Sequence, residues 1–109
     1  MKKINLSIVI VNYKTPQLII DCIRSIKKFT TGIVYEIIIV DNQSEDNSEL
    51  IICQEFNDVI WVQMNENAGT SRGYNAGIKK ANGDHILILN SDTVVKDNAI
   101  TKTLFYHKE

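Results

Sequence analysis

The chain has 109 residues, of which 44% are hydrophobic and 23% charged, with a formal net charge of −1 at pH 7. That length fits one domain with a sizeable core. The charge balance gives no electrostatic reason to expect nucleic acid or an anionic membrane surface, and the candidate basic patches, Lys27-Lys28 and Lys79-Lys80, read as solvated helix ends. The two cysteines, Cys22 and Cys53, lie inside apolar helical patterns without metal-ligand spacing, so reduced core residues are expected rather than a disulfide or a zinc site. The apolar run 8–11 after Met1-Lys2-Lys3 is too short for a signal peptide and lacks a small-residue cleavage site. No segment reaches membrane-spanning length. The expectation is a soluble, cytoplasmic domain.

Residues 6–11, Leu-Ser-Ile-Val-Ile-Val, are β-branched and bounded by turn residues, which predicts a buried strand with Asn12-Tyr13-Lys14 at its tip. Thr15-Pro16 opens a helix, with Thr15 as N-cap and Pro16 at the first helical position. Ile19, Cys22, Ile23, Ile26 and Phe29 recur at helical spacing as its buried face, and Gly32 lies just beyond its end. A second strand at 37–40 ends in Asp41-Asn42-Gln43-Ser44. Asp46 and Glu49 have capping-box spacing before a second helix whose inward face reads as Leu50, Cys53 and Phe56. Residues 59–64 predict the third strand, and Asn65-Glu66-Asn67-Ala68-Gly69 its tip.

The third helix is expected over 70–81, with Asn82-Gly83 as terminator. It carries Gly73 and Gly77, each costing about 1 kcal/mol against alanine in a helix interior. Close approach to a sheet or a ligand would compensate. The run 86–89, Ile-Leu-Ile-Leu, predicts a fourth strand covered on both faces and ending in Asn90-Ser91-Asp92. Lys96-Asp97-Asn98 opens a further helix with Ala99, Ile100, Leu104 and Phe105 as its apolar residues. The order β-α-β-α-β-α-β plus a C-terminal helix predicts an α/β domain with a parallel sheet and helices on both faces. Residue 109 falls as an apolar helix barely ends, so the chain is expected to be part of a longer domain.

Parallel strands bring all four tips to one edge, where such sheets bind ligands. The glycine-rich stretch 69–77 is neither a Walker A loop nor Gly-x-Gly-x-x-Gly. The first strand-to-helix turn has no glycine, against a dinucleotide site, and no acidic pair, against a receiver domain.

The set Ser-Ile-Val-Ile-Val-Asn-Tyr at 7–13, Val-Asp-Asn-Gln-Ser at 40–44, Asn-Ala-Gly at both 67–69 and 75–77, and Leu-Asn-Ser-Asp at 89–92 resembles family 2 glycosyltransferases of the GT-A fold. The Leu-Asn-x-Asp form is similar to the rhamnosyltransferase-like subgroup. The likeness spans nearly the whole chain and covers the nucleotide-binding, N-terminal half of that family's Rossmann-like domain. It implies transfer of a sugar from a nucleoside-diphosphate donor (UDP-, dTDP- or GDP-linked) to a hydroxyl of a saccharide or lipid-linked acceptor. Inversion and a divalent cation, Mg²⁺ or Mn²⁺, are implied too, in bacterial surface-polysaccharide assembly in the cytoplasm or at the inner face of the membrane.

Residue by residue, the resemblance implies that Tyr13 packs against the nucleobase and that Asn12 lines the same pocket. Asp41 accepts a hydrogen bond from base or ribose, with capping of the second helix as the rival role. Asn67 and Gly69 shape the loop under sugar and phosphates. Asn75 faces the donor from the third helix, or else makes a local backbone bond. Asp92 is the metal ligand, consistent with cations held by one or two carboxylates plus substrate phosphates. Two departures stand out. Asn90 replaces the first aspartate of Asp-x-Asp, keeping hydrogen bonds to ribose or a metal-bound water but bringing no charge. Tyr74 fills the slot where many members have arginine; Arg72, two residues earlier, is either a phosphate contact or a solvated helix residue. The catalytic base is expected in the missing half, so the chain alone is expected to be inactive, and an exposed sheet edge would offer a route to dimers. A non-catalytic nucleotide-binding module is the alternative. A nucleotidyltransferase would want a glycine- and arginine-rich first turn, which Asn12-Tyr13-Lys14-Thr15 lacks.

Overall fold

The computed structural model describes residues 3–67 and 69–102. The elements in order are β1 (Leu6–Asn12), α1 (Pro16–Phe29), β2 (Tyr35–Asp41), α2 (Ser48–Glu55), β3 (Ile60–Gln63), α3 (Thr70–Lys80) and β4 (His85–Leu89). Residues 99–102 are helical. The four strands form one parallel sheet in the order β3-β2-β1-β4. Register aligns Asn12 with Asp41 and Asp41 with Gln63, so the tips do meet at one edge. The fold is the expected α/β half-domain.

Strand alternation divides the core. Ile8, Ile10, Ile37 and Ile39 face α1 and α2, where Ile19, Cys22, Ile23, Ile26 and Ile52 meet them. Val9, Ile38 and Val40 point the other way, with Val11, Tyr74 and Ala76 packed against them. The α3 glycines permit that second layer. A Cβ at Gly77 would lie 2.4 Å from Val9 Cγ1, and one at Gly73 would lie 3.1 Å from Val11 Cγ2. Of the two expected compensations, a sheet or a ligand, the structure shows close approach to the sheet, bringing α3 over β1 and β2.

Four local expectations are corrected. β4 is an edge strand, and Ile86 and Ile88 are each 43% exposed, because α3 packs over β1 and β2 rather than over β4. In α2, Ile52 is buried whereas Leu50 is 59% exposed and Cys53 half-buried; Phe56 is buried as expected. The helix starts one residue later than the capping-box reading requires. Asn47 is N-cap, and Asp46 Oδ1 accepts from Ser48 N at 2.9 Å. Thr15 and Pro16 occupy the expected positions in α1, but the Thr15 hydroxyl does not cap it. Beyond β4, Asp97 and Asn98 are left-handed, Ile100 is buried and Ala99 exposed. Leu104 and Phe105 lie outside the described residues, as do Ala68 and His107.

Candidate functional site

The tips of β1 and β2 are joined beneath the surface. Asn12 and Asp41 are 0% and 3% exposed. Asn12 Nδ2 donates to Asp41 Oδ1 at 2.8 Å, and Asn12 Oδ1 accepts from both the amide and the hydroxyl of Thr15 at 3.2 Å. Asp41 Oδ1 also accepts from the Ser44 hydroxyl at 2.6 Å, while Oδ2 accepts from Ser44 N and Gln63 Nε2, each at 3.0 Å. Both residues were expected to contact a ligand, yet neither lines the open cleft above them. The helix-capping alternative for Asp41 is not realised either, since Asn47 is the N-cap of α2.

That cleft has a volume of about 500 Å³. Tyr13, 44% exposed, stands on one side of it. Asn42 forms part of its floor, with its backbone N donating to Asn12 O at 2.9 Å and its Nδ2 to Gly69 O at 3.1 Å. Gly69 has φ +88°, a conformation that strains any side-chain-bearing residue. Its N–H donates to Asn67 Oδ1 at 3.3 Å, and both residues line the cleft. Gly69 is the N-cap of α3, so the first turn has neither a capping side chain nor an acidic residue. With Thr70 also in the lining, the positive end of the helix opens onto the cleft.

The far wall is Asn90, Ser91 and Asp92. Tyr74, on α3, donates its hydroxyl to Asn90 Oδ1 at 3.3 Å and lines the cleft itself. Asn75 is exposed and outside the lining. Arg72 is also outside it, its side chain 72% exposed and 3.7 Å from Glu66 Oε1. Asp92 is the one carboxylate in the lining among the described residues. No group of three metal-ligating side chains exists among the described residues. Asp92, Ser91 and Asn90 nevertheless bring oxygen donors to one wall, the donor type that a hard cation takes. Asp92 also acts at a distance: burial first, and then its charge, push the Cys22 thiol up to about 11. A second groove, of about 540 Å³, runs along β4 and is walled mainly by apolar residues such as Leu87, Val94 and Ile100. It contains no strand-tip carboxylate.

Reading tips as blocks left Asn42 and Tyr74 without roles and overlooked Val11, Thr15, Leu18 and Thr70, all of which line the cleft. The signal was the strand period. Asn12 and Asp41 continue the inward series of Ile8-Ile10 and Ile37-Ile39, whereas Tyr13 and Asn42 continue the opposite series of Val9-Val11 and Ile38-Val40.

The model of the family described as Glycosyl transferase family 2 matches residues 7–109. Glycosyltransferase GlyG of Streptococcus pneumoniae serotype 4 is 36% identical over 104 residues, which are 92% of this chain and 34% of GlyG. Poly-beta-1,6-N-acetyl-D-glucosamine synthase of Staphylococcus aureus is 41% identical over 66 residues, 59% of this chain and 16% of the synthase. The chain thus spans about a third or less of the length of these curated relatives. Among solved structures, S. aureus TarS in complex with UDP superposes with a TM-score of 0.85 at 20% identity, covering 96% of this chain and 32% of that one. The mannosyltransferase PcManGT from Pyrobaculum calidifontis, in complex with GDP-Man and Mn²⁺, gives 0.85 at 15% identity, covering 100% and 34%. These two likenesses concern the fold. The family match and the GlyG similarity extend over most of the sequence, and the chain belongs to glycosyl transferase family 2.

Proposed function

We propose that the cleft binds the nucleoside diphosphate of a sugar donor, and that the chain is the donor-binding part of an inverting glycosyltransferase. The observation that carries this reading is that one cavity joins an aromatic ring, an uncapped helix N-terminus and a single carboxylate: Tyr13, Gly69-Thr70 and Asp92. The ring offers a stacking face for a base, and Asn42 an amide for its polar edge or the ribose. The α3 N-terminus favours the diphosphate. Solved relatives in fold hold UDP, UDP-GlcNAc and GDP-Man, so UDP-, dTDP- and GDP-linked donors remain the candidate class.

In the reaction an acceptor hydroxyl attacks the anomeric carbon from the face opposite the diphosphate, whose oxygens gain negative charge as the bond breaks. The α3 N-terminus faces that charge. Asp92, with Ser91 and Asn90 beside it, would hold Mg²⁺ or Mn²⁺, which when bound supplies Lewis-acid stabilisation of the leaving group. The acceptor must lose a proton to a carboxylate. Asp92 is the only one lining the cleft among the described residues, so in this reading the base comes from outside them, and residues 1–109 are the N-terminal part of a longer catalytic domain, inactive alone.

The acceptor class we favour is a saccharide or lipid-linked sugar in bacterial surface-polysaccharide assembly, at the cytoplasmic face of the membrane. Leu-Asn-Ser-Asp at 89–92 supports a rhamnosyltransferase-like member. The unpaired edge of β4 is the route by which two chains would dimerise; a clean monomer by light scattering removes that part. The central test is calorimetric titration of UDP, dTDP and GDP, with and without Mn²⁺, into the chain and Asp92→Ala. Metal-dependent binding of one nucleotide, lost in the variant, is expected. Binding indifferent to both metal and variant would sink the cation role. No binding to folded protein would overturn the reading for this chain.

A further inference from the structure

Resting on that reading of the cleft, we infer that Asp41 is a positioning residue. Through Ser44 and Asn12 it holds the Tyr13–Lys14 turn, and so fixes the aromatic wall without touching the nucleotide. The first argument is capacity. A carboxylate has about four lone-pair sites, and Asp41 receives four donors: Asn12 Nδ2, the Ser44 hydroxyl, Ser44 N and Gln63 Nε2. Buried at 3% exposure, it has nothing left to offer a base.

The second argument is the path outward. The Ser44 hydroxyl donates to Asp41 Oδ1 at 2.6 Å and accepts from Lys14 N at 2.8 Å and from Asn12 Nδ2 at 3.3 Å. A hydroxyl polarised by a carboxylate is a stronger acceptor, so the charge of Asp41 is felt at the Lys14 amide. The third argument is what that bond restrains. Lys14 has φ +58°, and across the gap Gln43 and Glu45 have φ +60° and +55°. Left-handed backbone is unfavourable for residues with side chains. Three such residues on two neighbouring tips need an external hold, and the Asn12–Asp41–Ser44 group is the buried structure between them. Tyr13 precedes Lys14 directly, and the Lys14 ammonium lies 5.3 Å from its ring centroid. The turn therefore sets where the ring stands.

The test uses Ser44→Ala, Ser44→Thr and Tyr13→Ala in the whole chain, with circular dichroism and melting to establish folding. In the ligand-free protein, exchange of the Lys14 amide should quicken about tenfold in Ser44→Ala and return to the parent rate in Ser44→Thr. With the nucleotide identified by calorimetry, Ser44→Ala should weaken binding about tenfold, but less than about twofold in a Tyr13→Ala background, because coupled residues are not additive. Unchanged Lys14 exchange in Ser44→Ala overturns the inference. So does an affinity loss of equal size with and without the Tyr13 ring. Should alanine at Ser44 unfold the chain, Ser44→Cys, a weaker donor and acceptor, carries the same two measurements. A parent chain that binds no nucleotide defeats the donor-site reading, while Lys14 exchange still decides whether Ser44 holds the turn.

Discussion

The β1–β2 tips and the β4 tip border one cleft but are built in opposite ways. Asn12, Asp41, Asn42 and Ser44 are all at most 3% exposed; the side chains of Asn12, Asp41 and Ser44 share a hydrogen-bonded group, and Asn42 N donates to Asn12 O. Asn90 and Asp92 are exposed, and the side-chain bond reaching this tip from across the cleft comes from the Tyr74 hydroxyl. The strands repeat the contrast. β1 and β2 are covered on both faces, whereas β4 is half-bare along Ile86 and Ile88. One wall is thus preorganised before any ligand arrives, which lowers the ordering cost of recognition. The other has no such buried group to hold it.

The comparison breaks most directly at matched isoleucines on the same side of the sheet. Ile38 is 0% exposed in β2 and Ile88 43% exposed in β4. Ile38→Ala should cost about 3–4 kcal/mol, from lost burial and the cavity left behind. Ile88→Ala should cost less than about 1 kcal/mol. Chemical denaturation of both variants measures the difference. Equal costs would mean that the β4 face is covered in solution, by a second copy or another partner.

The next contrast is polar. Asn12→Ala removes a donor from Asp41 and the acceptor used by Thr15, leaving a buried carboxylate one donor short, at a cost of about 2–3 kcal/mol. Asp92→Ala should shift stability by no more than about 0.5 kcal/mol while removing metal-dependent nucleotide binding. A stability loss from Asp92→Ala as large as that from Asn12→Ala would mean that the β4 tip is structural.

The sequence was most readable where one cause dominates. Unbroken β-branched runs and the 3.6-residue recurrence of Ile19, Cys22, Ile23 and Ile26 led directly to β1, β2 and α1. Gly73 and Gly77 marked a close approach of the third helix to a sheet or a ligand, and the sheet is what they meet. What was harder to read depended on neighbours. Ile86 to Leu89 looks the same whether its strand is central or at an edge, since only the reach of α3 decides. Leu50 and Ile52 differ in burial because α2 packs against α1 with Ile52 in the core cluster and Leu50 outside it, a choice of partner the local pattern does not encode. In the site, Asp41 and Asn42 are adjacent polar residues at one strand end. Their opposite fates follow from strand parity, which assigns the first to the interior and the second to the cleft.

Cys22 joins the two regions and gives the smallest test. It lies on α1 in the buried half, and its thiol is pushed up to about 11 by burial and then by Asp92. Cys53, half-buried on α2, is raised by burial and then by Glu49. For Cys22 the folded-state value lies above the ordinary 9.0. The folded chain therefore keeps a proton that the unfolded chain releases. Its contribution to stability is complete below pH 9 and is lost as the pH rises towards about 11, at no more than ~1.4 kcal/mol per pH unit. Iodoacetamide at pH 9 with mass spectrometry should label Cys53 well before Cys22. Asp92→Asn should lower the Cys22 value without returning it to that of a free thiol, because burial is the larger cause. Early labelling of Cys22 in the parent chain would mean that α1 lifts from β1 in solution. The rigid wall assigned to the β1–β2 side would then open as readily as the β4 tip.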